Sequence, residues 1–443
     1  MQPISIDLIL HCRWLLPIIP KDKILEHYSV AIDGGRILEL LPTLEAQSKY
    51  SGKETKQLGN QLVMPGLVNA HGHGSARLLR GIQNNLTSQQ WLANYISNPE
   101  SPLADSKFIS DSINLAIAEM IKTGTTCFSE TYSNGDHFID AARKTGMRSQ
   151  FNFIFQETPS IFGKDTDDYL HRGLKLRDNV SNHPLIKVGC GVTNINDIQE
   201  TALKHLALLA NELELPLQIQ CNETAEDIQI SERNSGHRPL QRLFNQGLLL
   251  PETQLIHMNC INAQDIDLIE KTNSHVVLCP EANQLLLNNT SSVEPLSKTA
   301  INLSIGTAGA ASNNDFNLMP EIKGITLKLR ASNSETAGNN SAHQALRMAT
   351  INGAQALGWD EEIGSLEPGK FADLIAIEID SIHHQPLYNL TTQLVQHCAN
   401  NRITHSWVAG QPLLKDGVLC NFDEDQLIST AKDWGRRLAA INQ

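Results

Sequence analysis

The sequence predicts an α/β fold: a (β/α)8 barrel of the TIM type joined to a small β-sandwich domain assembled from both termini. Three observations carry this. The chain has 443 residues, longer than one average domain, and 41% of them are hydrophobic, enough for a sizeable core. Its middle alternates short apolar runs with helix-like segments, the pattern of parallel strands joined by crossover helices. Its two ends are strand-rich and punctuated by glycine turns.

Taken in order, "DLILHCRWLLPI" and "HYSVAIDGGRILEL" read as strands, with Asp33-Gly34-Gly35 as a hairpin turn. Eight β-like runs follow: "QLVMPGLVNAHGH", "TTCFSE", "RSQFNFIF", "IKVGCGV", "LPLQIQC", "TQLIHMNC", "HVVLCP" and "INLSIG". Between them lie segments such as "DSINLAIAEMIKTG" and "TALKHLALLANELE", helical in spacing and closed by Gly or Asn. The polar stretch "KLRASNSETAGNNSAHQ" reads as a surface loop. "KFADLIAIEID" and "ITHSWVAGQPLLKDGVL" then return to strands, with turns at Ala409-Gly410 and Asp416-Gly417. The expected division is residues 1–60 and 362–423 for the composite β domain, 61–361 for the barrel, and 424–443 for a C-terminal packing or dimer helix.

A net charge of −13 argues against nucleic acid or an anionic membrane as the main partner. The apolar N-terminus is broken by Asp7, His11, Arg13, Pro17 and Pro20, and it lacks a basic region and a cleavage site, so it reads as neither signal peptide nor spanning helix. Eight scattered cysteines without a CxxC pair suggest reduced thiols in a cytoplasmic protein.

In a (β/α)8 barrel the chemistry sits at the C-terminal strand ends, so the residues there are the candidates. His71-Gly72-His73 ends an apolar run; in extended backbone both imidazoles project to one face and could meet one cation, although two exposed loop histidines would look the same. Glu223 follows a strand and precedes a helix. It is either a proton shuttle or an acid in the helix's first turn. His257 ends another run, as a site residue or a satisfied core histidine.

In this order the residues resemble the amidohydrolase superfamily, in its branch of 5-methylthioadenosine/S-adenosylhomocysteine deaminases and chlorotriazine (TRZ/ATZ) hydrolases. The stretches that carry the resemblance are "MPGLVNAHGHGSARLLRG", "TGTTCF", "NETAEDI", "GHRPLQRLFNQGLL", "VVLCPEAN", "GTAGAASNND" and "NGAQALGWDEEIGSLEPGKFADL". The resemblance implies a divalent metal, usually zinc, held by the HxH histidines, a third histidine and an aspartate, and lowering the pKa of a bound water. It assigns His71 and His73 as metal ligands, Glu223 as the proton shuttle and His257 as the residue that polarises the attacked centre. Trp91 and Glu100 stand where a nucleoside would be packed and its ribose bound.

The chain departs from the pattern at four places. The third metal histidine is Gln220 and the metal-binding, water-activating aspartate is Ala308. A histidine usual before Cys279-Pro280 is Leu278, and the substrate-side histidine after Gly191 appears as Thr193. An amide is a poor replacement for imidazole on zinc. Alanine removes a ligand, a balancing charge and the base together. Two functions therefore stand side by side: a catalytically impaired member kept as a ligand-binding or partner protein, and an active metal-dependent hydrolase or deaminase with an altered site. For the second, His71, His73 and His257 could hold zinc or another divalent ion, with Gln220 or water as the fourth ligand. Either way the expected partner is a small nucleoside-like or heterocyclic amine, and a homodimer is a candidate assembly.

Overall fold

The computed structural model describes all residues except 1, 22, 82–100, 132–134, 287–292, 333–339 and 442–443. The terminal strands form one mixed sheet. In it β1 (Ile4–Leu15), β2 (Leu25–Asp33), β3 (Arg36–Pro42), β4 (Tyr50–Gln57) and β5 (Gln61–Pro65) meet β15 (Leu374–Glu378), β16 (Arg402–Val408), β17 (Gln411–Lys415) and β18 (Val418–Leu419). The join between the two chain ends is the antiparallel pair β5–β15. The predicted turns are where they were expected. Gly34 and Gly35 (φ 57° and 76°) connect β2 to β3, and Ala409-Gly410 and Asp416-Gly417 all have positive φ, as tight hairpins of the right twist require. Leu8, Leu10, Val30, Ile32, Val63, Leu374 and Trp407 fill the interior of this domain.

The barrel strands are β6 (Leu67–His73), β7 (Thr125–Thr131), β8 (Arg148–Ile154), β9 (Ile186–Val192), β10 (Leu217–Cys221), β11 (Thr253–His257), β12 (His275–Leu278) and β13 (Leu303–Ile305). Each pairs in parallel with the next. The eighth staves off an open edge in two pieces: β13 is followed by β14 (Ala308–Gly309), whose residues pair with Gly72 and His73 of β6 and close the ring.

Two expectations need correction. "QLVMPGLVNAHGH" is two strands, not one. The chain breaks at Pro65-Gly66, where a Cβ on Gly66 would lie 2.0 Å from the Thr126 hydroxyl, so β5 joins the terminal sheet and β6 opens the barrel. The polar stretch after Lys328 is not all loop, because helices Leu318–Ser332 and Asn340–Met348 occupy its two ends. Their inward faces, with Ile322, Ile325, Leu329, Ala345 and Leu346, are buried in the main core, which outweighs the polar residues facing out.

The barrel and the terminal sheet are tied by a buried ion pair. Arg148 at the start of β8 donates from Nε to Asp373 Oδ2 at 2.7 Å, and both side chains are essentially inaccessible. Asp373 also accepts from the Ala409 amide, and the guanidinium lies over the Trp359 and Phe371 rings. The C-terminal helix Glu424–Ile441 packs on the helix Ser106–Lys122. Trp434 meets Phe108 edge-on at 5.2 Å and donates its indole N–H to Asp111. All eight cysteines are free thiols.

Candidate functional site

His71 and His73 stand at the C-terminal end of β6, one turn of pleat apart, with ring centroids 4.6 Å from each other. His257 closes β11 with its ring 6.0 Å from that of His71. Its backbone leaves the strand with φ 73°, and Met258 follows at φ 47°, a left-handed kink that bulky residues rarely adopt. All three imidazoles are buried, so the barrel mouth gathers the three histidines that the sequence singled out.

Burial, followed by the neighbouring rings of His73 and His257, holds His71 well below its ordinary pKa. Burial likewise pushes His73 down to about 3. Both rings are therefore neutral at physiological pH. His71 Nδ1 lies 2.6 Å from Gln218 Oε1 and His73 Nδ1 lies 3.4 Å from the Thr131 carbonyl. His71 Nε2 and His257 Nδ1 are buried with no hydrogen-bond partner.

The loop after β13 faces this group. Gly306 is required there: a Cβ would fall 2.7 to 2.8 Å from His71 backbone and Cβ atoms. Thr307 is locked to Asn69 through both its amide and its hydroxyl. Asn313 donates to the Thr307 carbonyl and to Glu321, and Ser312 closes on Gly309. The next residue, Ala308, has φ 55° and is 3% exposed. Its methyl group packs with Ala70, Ile256, Val277, Cys279 and Ala282, an apolar floor where the resemblance placed a charged carboxylate.

Gln220 is half-buried on β10, two residues above Gln218 and so on the same face of the strand. Cys221 points the other way, into the main core. Glu223 lies between β10 and the helix Ala225–Ser235, whose cap is Thr224 with a reciprocal bond from Asp227. Glu223 therefore precedes the helix. The acids of the first turn itself are Glu226 and Asp227. Its carbonyl accepts from Asn259 Nδ2. Thr193 is half-buried just beyond the end of β9. Leu278 is buried in the wall of the main core. Trp91 and Glu100 lie outside the described residues.

Among the described residues no group of three or more His, Cys, Asp or Glu is arranged to hold a metal ion. Two imidazoles on β6 and one on β11 supply neutral nitrogen donors. The carboxylate that would balance a dication is a methyl group at Ala308, and the third imidazole is an amide at Gln220. The donor set does not fit a hydrolytic metal of the implied type, whose carboxylate is ligand, counter-charge and base in one.

Sequence reasoning missed Gln218, Thr131 and Glu130. Glu130 sits at the end of β7 with its carboxylate accepting from the Gly74 and Ser75 amides, and burial raises its pKa to about 8. Gln218 could have been found from the alternation in "LQIQC", which puts it on the same face as Gln220 and so inside the barrel. Thr131 and Glu130 belong to no motif.

The model of the amidohydrolase family matches residues 62–413. A 5-methylthioadenosine/S-adenosylhomocysteine deaminase of Saccharophagus degradans is 40% identical over 98% of this chain and 97% of its own length. One from Teredinibacter turnerae is 37% identical, with 98% of each chain covered. Among solved structures, an adenosine deaminase of Xanthomonas campestris with bound zinc superposes with a TM-score of 0.92 at 30% identity, covering 99% of this chain and 100% of that one. An atrazine chlorohydrolase of Arthrobacter aurescens complexed with zinc shares the fold at 18% identity and a TM-score of 0.84, over 96% of this chain and 99% of its own. With the family model spanning most of its length and relatives aligned nearly end to end, this chain belongs to the amidohydrolase family.

Proposed function

We propose that the chain keeps the small-molecule pocket of the hydrolytic deaminases, shaped for a nucleoside-like or heterocyclic amine, while metal-dependent hydrolysis is lost or strongly impaired. The observation that carries this is Ala308: the loop around it is held against the histidines by hydrogen bonds from Thr307 to Asn69 and from Asn313 to the Thr307 carbonyl, yet its side chain is an alanine seated on an apolar floor. Residues that act as one catalytic unit do not compensate for each other's loss, and deleting one member commonly costs several orders of magnitude in rate. Glu223 and His257 remain as the residues suited to proton transfer and polarisation, and Thr193, Trp91 and Glu100 as candidate ligand contacts.

The alternative is an active deaminase with an altered site, holding a divalent ion on His71, His73 and His257 with Gln220 or water. It is favoured by the unpartnered nitrogens of His71 and His257 and by the names of relatives 40% and 37% identical. Ammonia release from 5-methylthioadenosine, S-adenosylhomocysteine and adenosine, with zinc supplied, separates the two. The proposal expects no release above that of a His71→Ala variant. Turnover that disappears in that variant establishes the alternative instead.

A further inference from the structure

The interior of this barrel is unusually polar below the histidines. Barrel interiors are mostly filled by branched aliphatic side chains. Here Gln150, Asn152, Gln218 and Gln254, with Ser129, form a buried column. Gln150 Nε2 donates to Asn152 Oδ1 at 2.8 Å, Asn152 Nδ2 donates to Ser129 Oγ at 2.9 Å, and Gln218 Nε2 donates to Gln254 Oε1 at 2.9 Å. Gln218 is the top of this column and the only one of these amides in contact with His71 among the bonds described.

The orientation of the Gln218 amide is settled by its partners. Its nitrogen is 3.1 Å from the Ala70 carbonyl, which can only accept, so that end carries the N–H groups. Its oxygen must then face the opposite way, toward the Thr131 hydroxyl at 3.0 Å and His71 Nδ1 at 2.6 Å. Two acceptors do not approach to 2.6 Å, so the proton of the His71–Gln218 contact is on Nδ1. A neutral imidazole carries one proton. His71 Nε2 is consequently bare, and with His257 Nδ1 it is one of the two buried histidine nitrogens without a partner at the barrel mouth.

We propose that Gln218 is the positioning residue of this site: it fixes His71 in the Nδ1–H tautomer and so makes His71 Nε2 a preset acceptor for a ligand N–H or amino group. The proposal rests on reading the barrel mouth as a ligand site, but its test needs no ligand and no turnover. Protein labelled with 15N in histidine is examined in two-dimensional 15N–1H spectra near pH 7.5, with His71 assigned by difference against His71→Asn. The expected wild-type pattern is a protonated Nδ1 and a bare Nε2. Gln218→Met, which removes the acceptor but keeps much of the volume, shifts the pattern toward a proton on Nε2. A packing role for Gln218 would not by itself decide which ring nitrogen of His71 carries the proton. A wild-type His71 protonated on Nε2 overturns the proposal, and that reading stands even if Gln218→Met fails to fold. A folded Gln218→Met with an unchanged pattern overturns it equally.

Discussion

At the scale of single residues, Ala308 carries both a chemical and a conformational consequence. Its φ of 55° lies in the left-handed region, which Asp and Asn tolerate far better than Ala. The loop thus keeps a backbone suited to the aspartate that the resemblance expected, without the side chain. Ala308→Gly should relieve that strain and raise unfolding stability by about 0.5–1 kcal/mol in urea titrations, net of glycine's entropic cost. A lower midpoint would mean that the methyl's apolar contacts outweigh the strain. This residue was legible because it sits in a motif, as were His71, His73, His257 and Gln220. Gln218 was legible only as a residue sharing the inward face of Gln220, since its contact with His71 exists only once the closed barrel brings β10 to β6.

At the scale of elements, the loop of Ala308 is braced by acids that the reading of the sequence did not weigh. Glu321 is fully buried, accepting from Asn313 Nδ2 and from the Glu281 amide, and burial followed by the Glu281 charge holds its pKa well above the carboxylate range. Burial, with Asp315 adding to it, raises Glu281 to about 7. A carboxyl whose pKa is raised on folding binds its proton more tightly in the native state. Its stabilising contribution is full below the unfolded value near 4.5 and is lost as pH rises through about 7. Glu281→Gln should therefore flatten the fall in Tm between pH 5 and 8 in calorimetric scans, and parallel curves for wild type and variant would refute this. The C-terminal helix was legible from its spacing, and its seat on Phe108 through Trp434 makes Trp434→Ala cost about 3 kcal/mol by denaturant unfolding. A change under about 1 kcal/mol would show that the helix adds little to the fold.

At the scale of the whole molecule, the eight strand runs were readable because parallel strands buried on both faces leave continuous apolar runs, and the two ends because glycine turns punctuate their antiparallel hairpins. The Arg148–Asp373 pair that locks the terminal sheet to the barrel joins residues 225 positions apart and left no local trace; the pairing of β5 with β15 spans still more of the chain, and only the joining of the two ends, not its register, was readable. Asp373→Ala strands a buried guanidinium and should cost about 3–5 kcal/mol, read as a lowered unfolding midpoint; a loss below 1 kcal/mol would mean that Arg148 finds another partner. No helix among the described residues is long and apolar enough to cross a membrane. The proposed loss of metal-dependent hydrolysis, with Ala308 and Gln220 in place of two of the residues expected to hold the ion, is measured most directly by zinc per chain. Purified protein equilibrated with zinc, desalted and analysed for metal should carry well under one zinc per chain, while Ala308→Asp combined with Gln220→His should approach one. A wild-type protein that retains a full equivalent, and loses it in His71→Ala, would contradict the account.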